Sequence, residues 1–330
     1  MTITMKRFTR AVLRATLALL LVALSVGATS AAGSPSPHRH ATAAPPPRGF
    51  AEHRAQVNGI TVEYVRGGHG PTLVLLHGYP ETWYEFESVL PTLARHFTVI
   101  APDLRGAGDS SAPAAGYDKR TMAEDLHQLL VKLGLQHRID LVGHDIGTMV
   151  AYAYAAQHPH DVSRLALTEA PIPDQSVYQF PALTPGGPGV WNFGFFNVTN
   201  GLPEQTITGR ERTWVDLFIR MFAVHKDAAS RPDAVRAYAQ ALSDPAHLHG
   251  SLEWFRTLDR DVADNAESVR TPLPMPVMAV GADHSLGQSV LDQVRRYATH
   301  VQGVVLPDSG HWIFEEHPQE MSDLLLRFLS

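Results

Sequence analysis

The chain has 330 residues, 44% apolar, 18% charged and 8% aromatic, a composition too apolar for disorder and long enough for one large α/β domain or two small ones. Formal net charge is −6, but residues 1–32 carry four basic residues and no acid, and without them 23 basic residues face 33 acidic ones, a net of −10. So acidic a body excludes nucleic acid as an expected partner, and the absence of cysteine excludes disulfides, thiol catalysis and thiolate metal sites.

In chain order, Met1–Arg14 is a basic segment, Ala15–Val26 an apolar run of twelve, and Gly27–Ala32 a stretch of small residues. That order predicts a cleaved signal peptide over 1–32 and a secreted or periplasmic protein, with no stable membrane insertion after cleavage. Residues 33–49 are rich in Pro and Ala and predict a linker; His38 and His40 within it read as a solvated tail. Asn58-Gly59 between Ala55–Val57 and Ile60–Val65 signals a hairpin. Short apolar runs at Thr72–Leu76, Phe97–Ala101, Arg138–Val142, Val162–Leu167, Pro276–Val280 and Val301–Leu306 predict six buried strands. Helical stretches are expected at Tyr84–Arg95, Thr121–Leu133, Gly147–Gln157, Ser289–Tyr297 and Pro318–Leu329. The fold class is therefore α/β, a mostly parallel sheet covered by helices on both faces. Residues 170–270 break the alternation with aromatics, prolines and helix-like segments such as Glu211–Val224 and Ala234–Leu242. They predict a helical lid inserted between core segments 50–169 and 271–330.

The most informative stretch is Gly143-His144-Asp145-Ile146-Gly147, a strand, a tight turn between small residues, and a helix, with Asp145 at the apex. Such a turn exposes a nucleophile, although an aspartate there is also an ordinary helix cap. His77-Gly78-Tyr79-Pro80 follows the first buried strand of the parallel set, and His311 follows the last strand and precedes the final helix. Four other histidines, His158, His160, His247 and His249, read as surface residues. No metal-ligand spacing is present, so neither metal nor cofactor is expected.

HGYPETWYEF (77–86), APDLRGAGDS (101–110), GHDIG (143–147) and GHWIFEE (310–316) resemble the epoxide hydrolase and dehalogenase branch of the α/β-hydrolase superfamily. EAPIPD (169–174) and VWNFGFF (190–196) narrow the resemblance to secreted bacterial epoxide hydrolases related to the cystic-fibrosis-channel inhibitory factor. The resemblance spans about 50–330 and implies an α/β-hydrolase fold with the catalytic order nucleophile, acid, histidine. Asp145 is the implied nucleophile: a carboxylate needs no base, and displacement at a saturated carbon would leave an alkyl-enzyme ester. His311 is implied to activate the water that hydrolyses it, with the N–H groups of Tyr79 and Ile146 as oxyanion hole. Glu169 is preferred as the acid that orients His311, with Asp283 as the alternative.

In the lid, positions that carry proton-donating Tyr or His in such enzymes match Asn192, after Trp191, and Phe255. Asparagine can hydrogen-bond a developing alkoxide but not protonate it, and phenylalanine can do neither. Tyr178, Tyr238 and a water held by Asn192 are the candidates for the missing hydroxyl. A dehalogenase acting on haloalkanes or haloacids is the alternative reading, with Trp191 and Asn192 as a halide cradle; a non-catalytic secreted ligand-binding or effector protein is a third. Ile146 stands where haloalkane dehalogenases have Trp and fluoroacetate dehalogenases Arg. The partner expected is a small hydrophobic substrate, and a homodimer stays open.

Overall fold

The computed structural model describes residues 45–185 and 187–330; the expected signal peptide and all but the last residues of the linker lie outside them. Eight strands form one sheet: β1 (Phe50–Val57), β2 (Ile60–Gly68), β3 (Thr72–Leu76), β4 (Thr98–Pro102), β5 (Ile139–His144), β6 (Val162–Thr168), β9 (Leu273–Ala282) and β10 (Ala298–Leu306). Between β6 and β9 lies a separate two-residue ribbon, β7 (Leu183–Thr184) with β8 (Gly187–Pro188). The order across the large sheet is β1-β2-β4-β3-β5-β6-β9-β10, and β2 alone runs against the other seven. Every residue of β3 and β5 is buried, as strands covered by helices on both faces must be.

The helices of the first core segment are α1 (Leu90–Leu93), α2 (Lys119–Leu133) and α3 (Ile146–Gln157). Asp118 caps α2 by accepting from Thr121 N, and Gly134 ends it in the left-handed region at φ 69°, so both ends satisfy groups the helix cannot. Its buried residues Met122, Leu126, Leu129 and Leu130 recur at helical spacing and face the sheet. The helix expected over 84–95 is broken instead: a 3₁₀ turn covers Trp83–Phe86 and α1 a single turn. Pro91 has no N–H to continue a helix running into it.

The residues between β6 and β9 carry α4 (Trp191–Phe196), α5 (Leu202–Ile207), α6 (Glu211–Phe222), α7 (Lys226–Ala229), α8 (Pro232–Leu242), α9 (Pro245–Arg256) and α10 (Leu258–Ser268). A buried ion pair, Lys119 Nζ to Asp261 Oδ2 at 2.8 Å, fastens α10 to the start of α2. The chain closes with α11 (Gln288–Val294), α12 (Ile313–Glu316) and α13 (Pro318–Leu329). Among the described residues no helix is long and apolar enough to cross a membrane.

Candidate active site

Parallel strands deliver their loops to one edge, where a site on such a sheet is expected. β5 ends at His144 and α3 begins at Ile146, leaving Asp145 to make the whole reversal at φ 47°, ψ −120°. A non-glycine residue there is strained. The turn survives because its neighbours are small: a Cβ on Gly143 would collide with the Gly147 carbonyl, and one on Gly147 with the Leu76 carbonyl. The one Thr148 hydroxyl proton is shared between the carbonyl oxygens of Gly143 and Thr168, which lie 2.7 and 2.8 Å from Oγ1, and Asp145 N donates to Thr168 O at 3.2 Å. These bonds stitch the apex to β6. The threonines were not singled out from sequence, where the same residue type is common as filler.

The Asp145 carboxylate meets two partners. Tyr79 N donates to Oδ1 at 3.0 Å, and His311 Nε2 lies 3.6 Å from Oδ2. On its other side His311 Nδ1 is 3.2 Å from Glu169 Oε2. Glu169 is fully buried, holds φ 48°, and its Oε1 accepts from Ala282 N at 2.6 Å, so its second oxygen is aimed at the imidazole. Asp283 is not brought to His311. Its carboxylate accepts from Asp308 N and Ser309 N at 3.0 and 3.1 Å, bonds that hold its pKa below the ordinary carboxylate value, and so it ties down the loop that precedes the histidine. Ile146 is the first residue of α3, where a helix N–H has no intrahelical partner. His77 braces the Tyr79 turn: Nε2 accepts from Leu104 N at 3.0 Å, and burial pulls its pKa down to about 4, leaving it neutral.

Above Asp145 lies a cavity of about 70 Å³ walled by Phe180, Phe193, Phe218, Phe222 and Phe255, with Tyr79, Asn192 and Ser285 among its polar side chains. Arginine and lysine are absent from that lining. Asn192 is buried and makes no side-chain hydrogen bond to another described residue. Three lid expectations need correction. Tyr178 is 59% exposed and does not line the cavity. Trp191 faces a separate surface groove, its Nε1 donating to Met221 Sδ at 3.2 Å, because α4 turns only its Asn192 face inward. Tyr238 is fully buried outside the cavity, donating to Glu315 Oε1 at 3.2 Å. His247, read as a surface residue, is buried against Ser110 O at 2.8 Å.

Two networks beneath His311 escaped the sequence reading. Glu316, on the buried side of α12, accepts at Oε2 from Val224 N, His225 N and Gly310 N at 2.9, 2.8 and 3.2 Å, and at Oε1 from Trp312 N at 3.3 Å. One carboxylate thus pins the segment after α6 to both neighbours of His311, and His311 N itself donates to Phe222 O at 2.9 Å. The second network is buried His144, whose Nε2 donates to His311 O at 2.9 Å while Nδ1 faces Glu85 and Glu81 at 3.0 and 3.4 Å. Burial alone would lower the His144 pKa, but the neighbouring Glu85 and Glu81 outweigh it and raise it well above the ordinary value. The signal was present in the spacing of GHWIFEE and in two glutamates four apart at 81 and 85, but acidic residues so placed are usually solvated. Glu81, Glu85 and His144 are also close enough to share an ion, as are His127, His158 and Asp161; neither group lines the cavity.

Comparison with known proteins agrees with this geometry. The family model described as alpha/beta hydrolase fold matches residues 71–318. A soluble epoxide hydrolase of Corynebacterium sp. (strain C12) is 33% identical over 293 residues, covering 85% of this chain and 98% of the relative. A fluoroacetate dehalogenase of Burkholderia sp. is 31% identical over 296 residues, covering 86% and 94%. The crystal structure of Cfl2 from Burkholderia cenocepacia superposes with a TM-score of 0.80 at 37% identity, covering 87% of this chain and 98% of that one.

Proposed function

This chain belongs to the α/β-hydrolase fold family and is a hydrolase of the epoxide hydrolase–dehalogenase type, and on that footing we propose that it opens epoxides of neutral, hydrophobic molecules through an ester on Asp145. The observation that carries the proposal is His311 set between two carboxylates, Asp145 at 3.6 Å and Glu169 at 3.2 Å, while Tyr79 N–H occupies one oxygen of the first.

With Oδ1 held by Tyr79 N–H, Oδ2 attacks a ring carbon: the new carbon–oxygen bond forms as the ring carbon–oxygen bond breaks. The ring oxygen leaves as an alkoxide, met by the Asn192 amide and protonated by water: Tyr79 is the one tyrosine in the cavity lining, and its hydroxyl lies against Trp214, outside that lining, accepting from Trp214 Nε1 at 2.9 Å. His311 then takes a proton from a second water, whose oxygen adds to the Asp145 carbonyl carbon; Glu169 stabilises the imidazolium. Negative charge develops on Oδ1, where the Tyr79 and Ile146 N–H groups receive it. Collapse breaks the bond to Oδ2, the His311 proton passes to the departing alkoxide to give the diol, and the Asp145 carboxyl loses its proton to the hydroxide left by the first water, so that one water is consumed for each epoxide.

Against a haloacid substrate stands the cavity itself, whose lining offers no cation to hold a second carboxylate. Against a halide leaving group stands Trp191, turned away from the cavity, which leaves Asn192 as the sole side-chain amide facing the reacting centre. Export through residues 1–32 belongs to the same proposal and is tested by the N-terminal sequence of the mature protein. The activity is tested by supplying matched epoxides and alkyl halides and measuring diol and halide: diol without halide is expected, and halide release alone would make the chain a dehalogenase.

A further inference from the structure

The cavity over Asp145 is one of two adjoining chambers. Its volume of about 70 Å³ is less than half that of a cavity of about 150 Å³ that holds benzene, so a benzene-sized group or a doubly substituted epoxide does not fit within it, whereas the three-membered ring of an epoxide does. Beside it lies a larger chamber of about 380 Å³, and Pro171, Phe180 and Leu286 line both. These three side chains form the partition. The outer chamber has fixed walls: Gln293 is buried and bonded through both ends of its amide to the backbone of Ile172, at 2.7 and 2.8 Å. Its one cation, Arg296, is paired with Asp174 at 2.8 Å, leaving no free positive charge to require an anionic group.

We propose, resting on the epoxide-opening reading above, that the substrate is a terminal epoxide on an unbranched, uncharged chain, its ring in the inner chamber and its chain passing Phe180 into the outer one. Attack by Asp145 Oδ2 then falls on the unsubstituted CH₂ of the ring, the carbon least hindered to displacement and the only one the small chamber brings forward. The ring oxygen stays on the adjacent carbon toward the lid, within the reach of Asn192. Selectivity arises from space and apolar contact: each chain carbon beyond the partition leaves water for the apolar stretch formed by Pro171, Leu286 and Val290, which strengthens binding severalfold per carbon, until the chain reaches the exposed polar edge of Ser289 and Asp292. A substituent on both ring carbons has one outlet for two chains.

The test uses the purified chain with 1,2-epoxypropane, 1,2-epoxyoctane and trans-4,5-epoxyoctane. The kcat/KM for 1,2-epoxyoctane should exceed that of each of the others by at least about tenfold. Phe180→Trp, which narrows the partition, should lower the epoxyoctane-to-epoxypropane ratio by a similar factor; a ratio read on one variant is insensitive to how much of it folds. Equal turnover of the 1,2- and 4,5-isomers, or a ratio unmoved by Phe180→Trp, would overturn the proposal. Adduct mass on Asp145 is recorded alongside with His311→Gln. Adducts from all three epoxides without the chain preference overturn this inference only, whereas no adduct from any of them overturns the epoxide reading and this inference with it.

Discussion

Asp145 and Glu169 stand at the ends of adjacent parallel strands, hold nearly the same left-handed backbone angle (φ 47° and 48°), and meet opposite nitrogens of one imidazole. The pairing of β5 with β6 sets their separation, and the strain at each is held by bonds to neighbouring strands, Asp145 N to Thr168 O and Glu169 N to Val280 O. A site built on strand ends is more rigid than one built on loops, and His311 alone arrives on a loop.

Glu169→Gln should therefore slow hydrolysis of the ester by about 10²-fold or more, because the imidazolium loses its counter-charge. Asp283→Asn should change turnover less than about threefold and lower the Tm only slightly, since it weakens only ordinary loop hydrogen bonds. Single-turnover kinetics of both variants check this pair of outcomes. The reverse ranking would transfer the acid's role to Asp283.

Glu316 is expected to behave as a positioning residue. Glu316→Ala leaves four backbone N–H groups without their acceptor, a loss of about 2–4 kcal/mol in denaturant unfolding. Since the freed segment carries His311 rather than Asp145, Glu316→Gln should slow ester hydrolysis more than ester formation. Equal slowing of the two steps would show that the pin acts on the whole site.

Much of this arrangement was legible in the sequence, for identifiable reasons. The strands announced themselves because a covered parallel strand has to be apolar on both faces, and the elbow because a reversal over one residue demands small neighbours such as Gly143 and Gly147. The Tyr84–Arg95 helix was misjudged because periodicity outweighed Pro91. Tyr178 and Trp191 could not be placed from sequence, since α4 and the turn before it have no core pattern to fix which face turns inward; Tyr238 shares the buried stripe of α8 with Val235 and Leu242, a pattern that announces burial but not whether the hydroxyl meets the cavity. Glu316 and His144 stayed hidden because their roles depend on partners far along the chain, and the same carboxylate on a solvated helix would read identically.

Stability should fall as pH rises above about 6.5. Burial first, then the neighbouring Glu85 carboxylate, pushes the Glu81 pKa up to about 8, and burial lifts Asp103 to about 7. A carboxyl whose pKa is raised on folding contributes stability in full below its unfolded value of about 4.5, and that contribution is lost as pH climbs through the folded value. His144, raised above its ordinary value, acts with the same sign. His77, depressed to about 4, acts oppositely, its contribution being lost as pH falls from 6.5 toward 4, so it does not enter the alkaline window. Thermal unfolding between pH 6.5 and 9 should show a declining Tm, and Glu81→Gln should flatten the decline. A Tm that holds constant in both proteins would contradict the assignment.

Asn192→Ala should lower the rate of ester formation by about 10-fold or more with little effect on ester hydrolysis, because the amide meets the leaving oxygen and has no part in the second step. Pre-steady-state measurement of the two steps separates the effects. Loss confined to hydrolysis would place Asn192 elsewhere in the mechanism.

The most direct test of an ester-forming aspartate is the intact mass of the His311→Gln protein after incubation with a terminal epoxide. Without the base, ester hydrolysis stalls, and the account predicts a gain equal to the whole epoxide, located by peptide mapping on Asp145 and absent from Asp145→Asn. A folded His311→Gln protein that gains no mass from epoxides, or gains it at another residue, would contradict the mechanism at its first step.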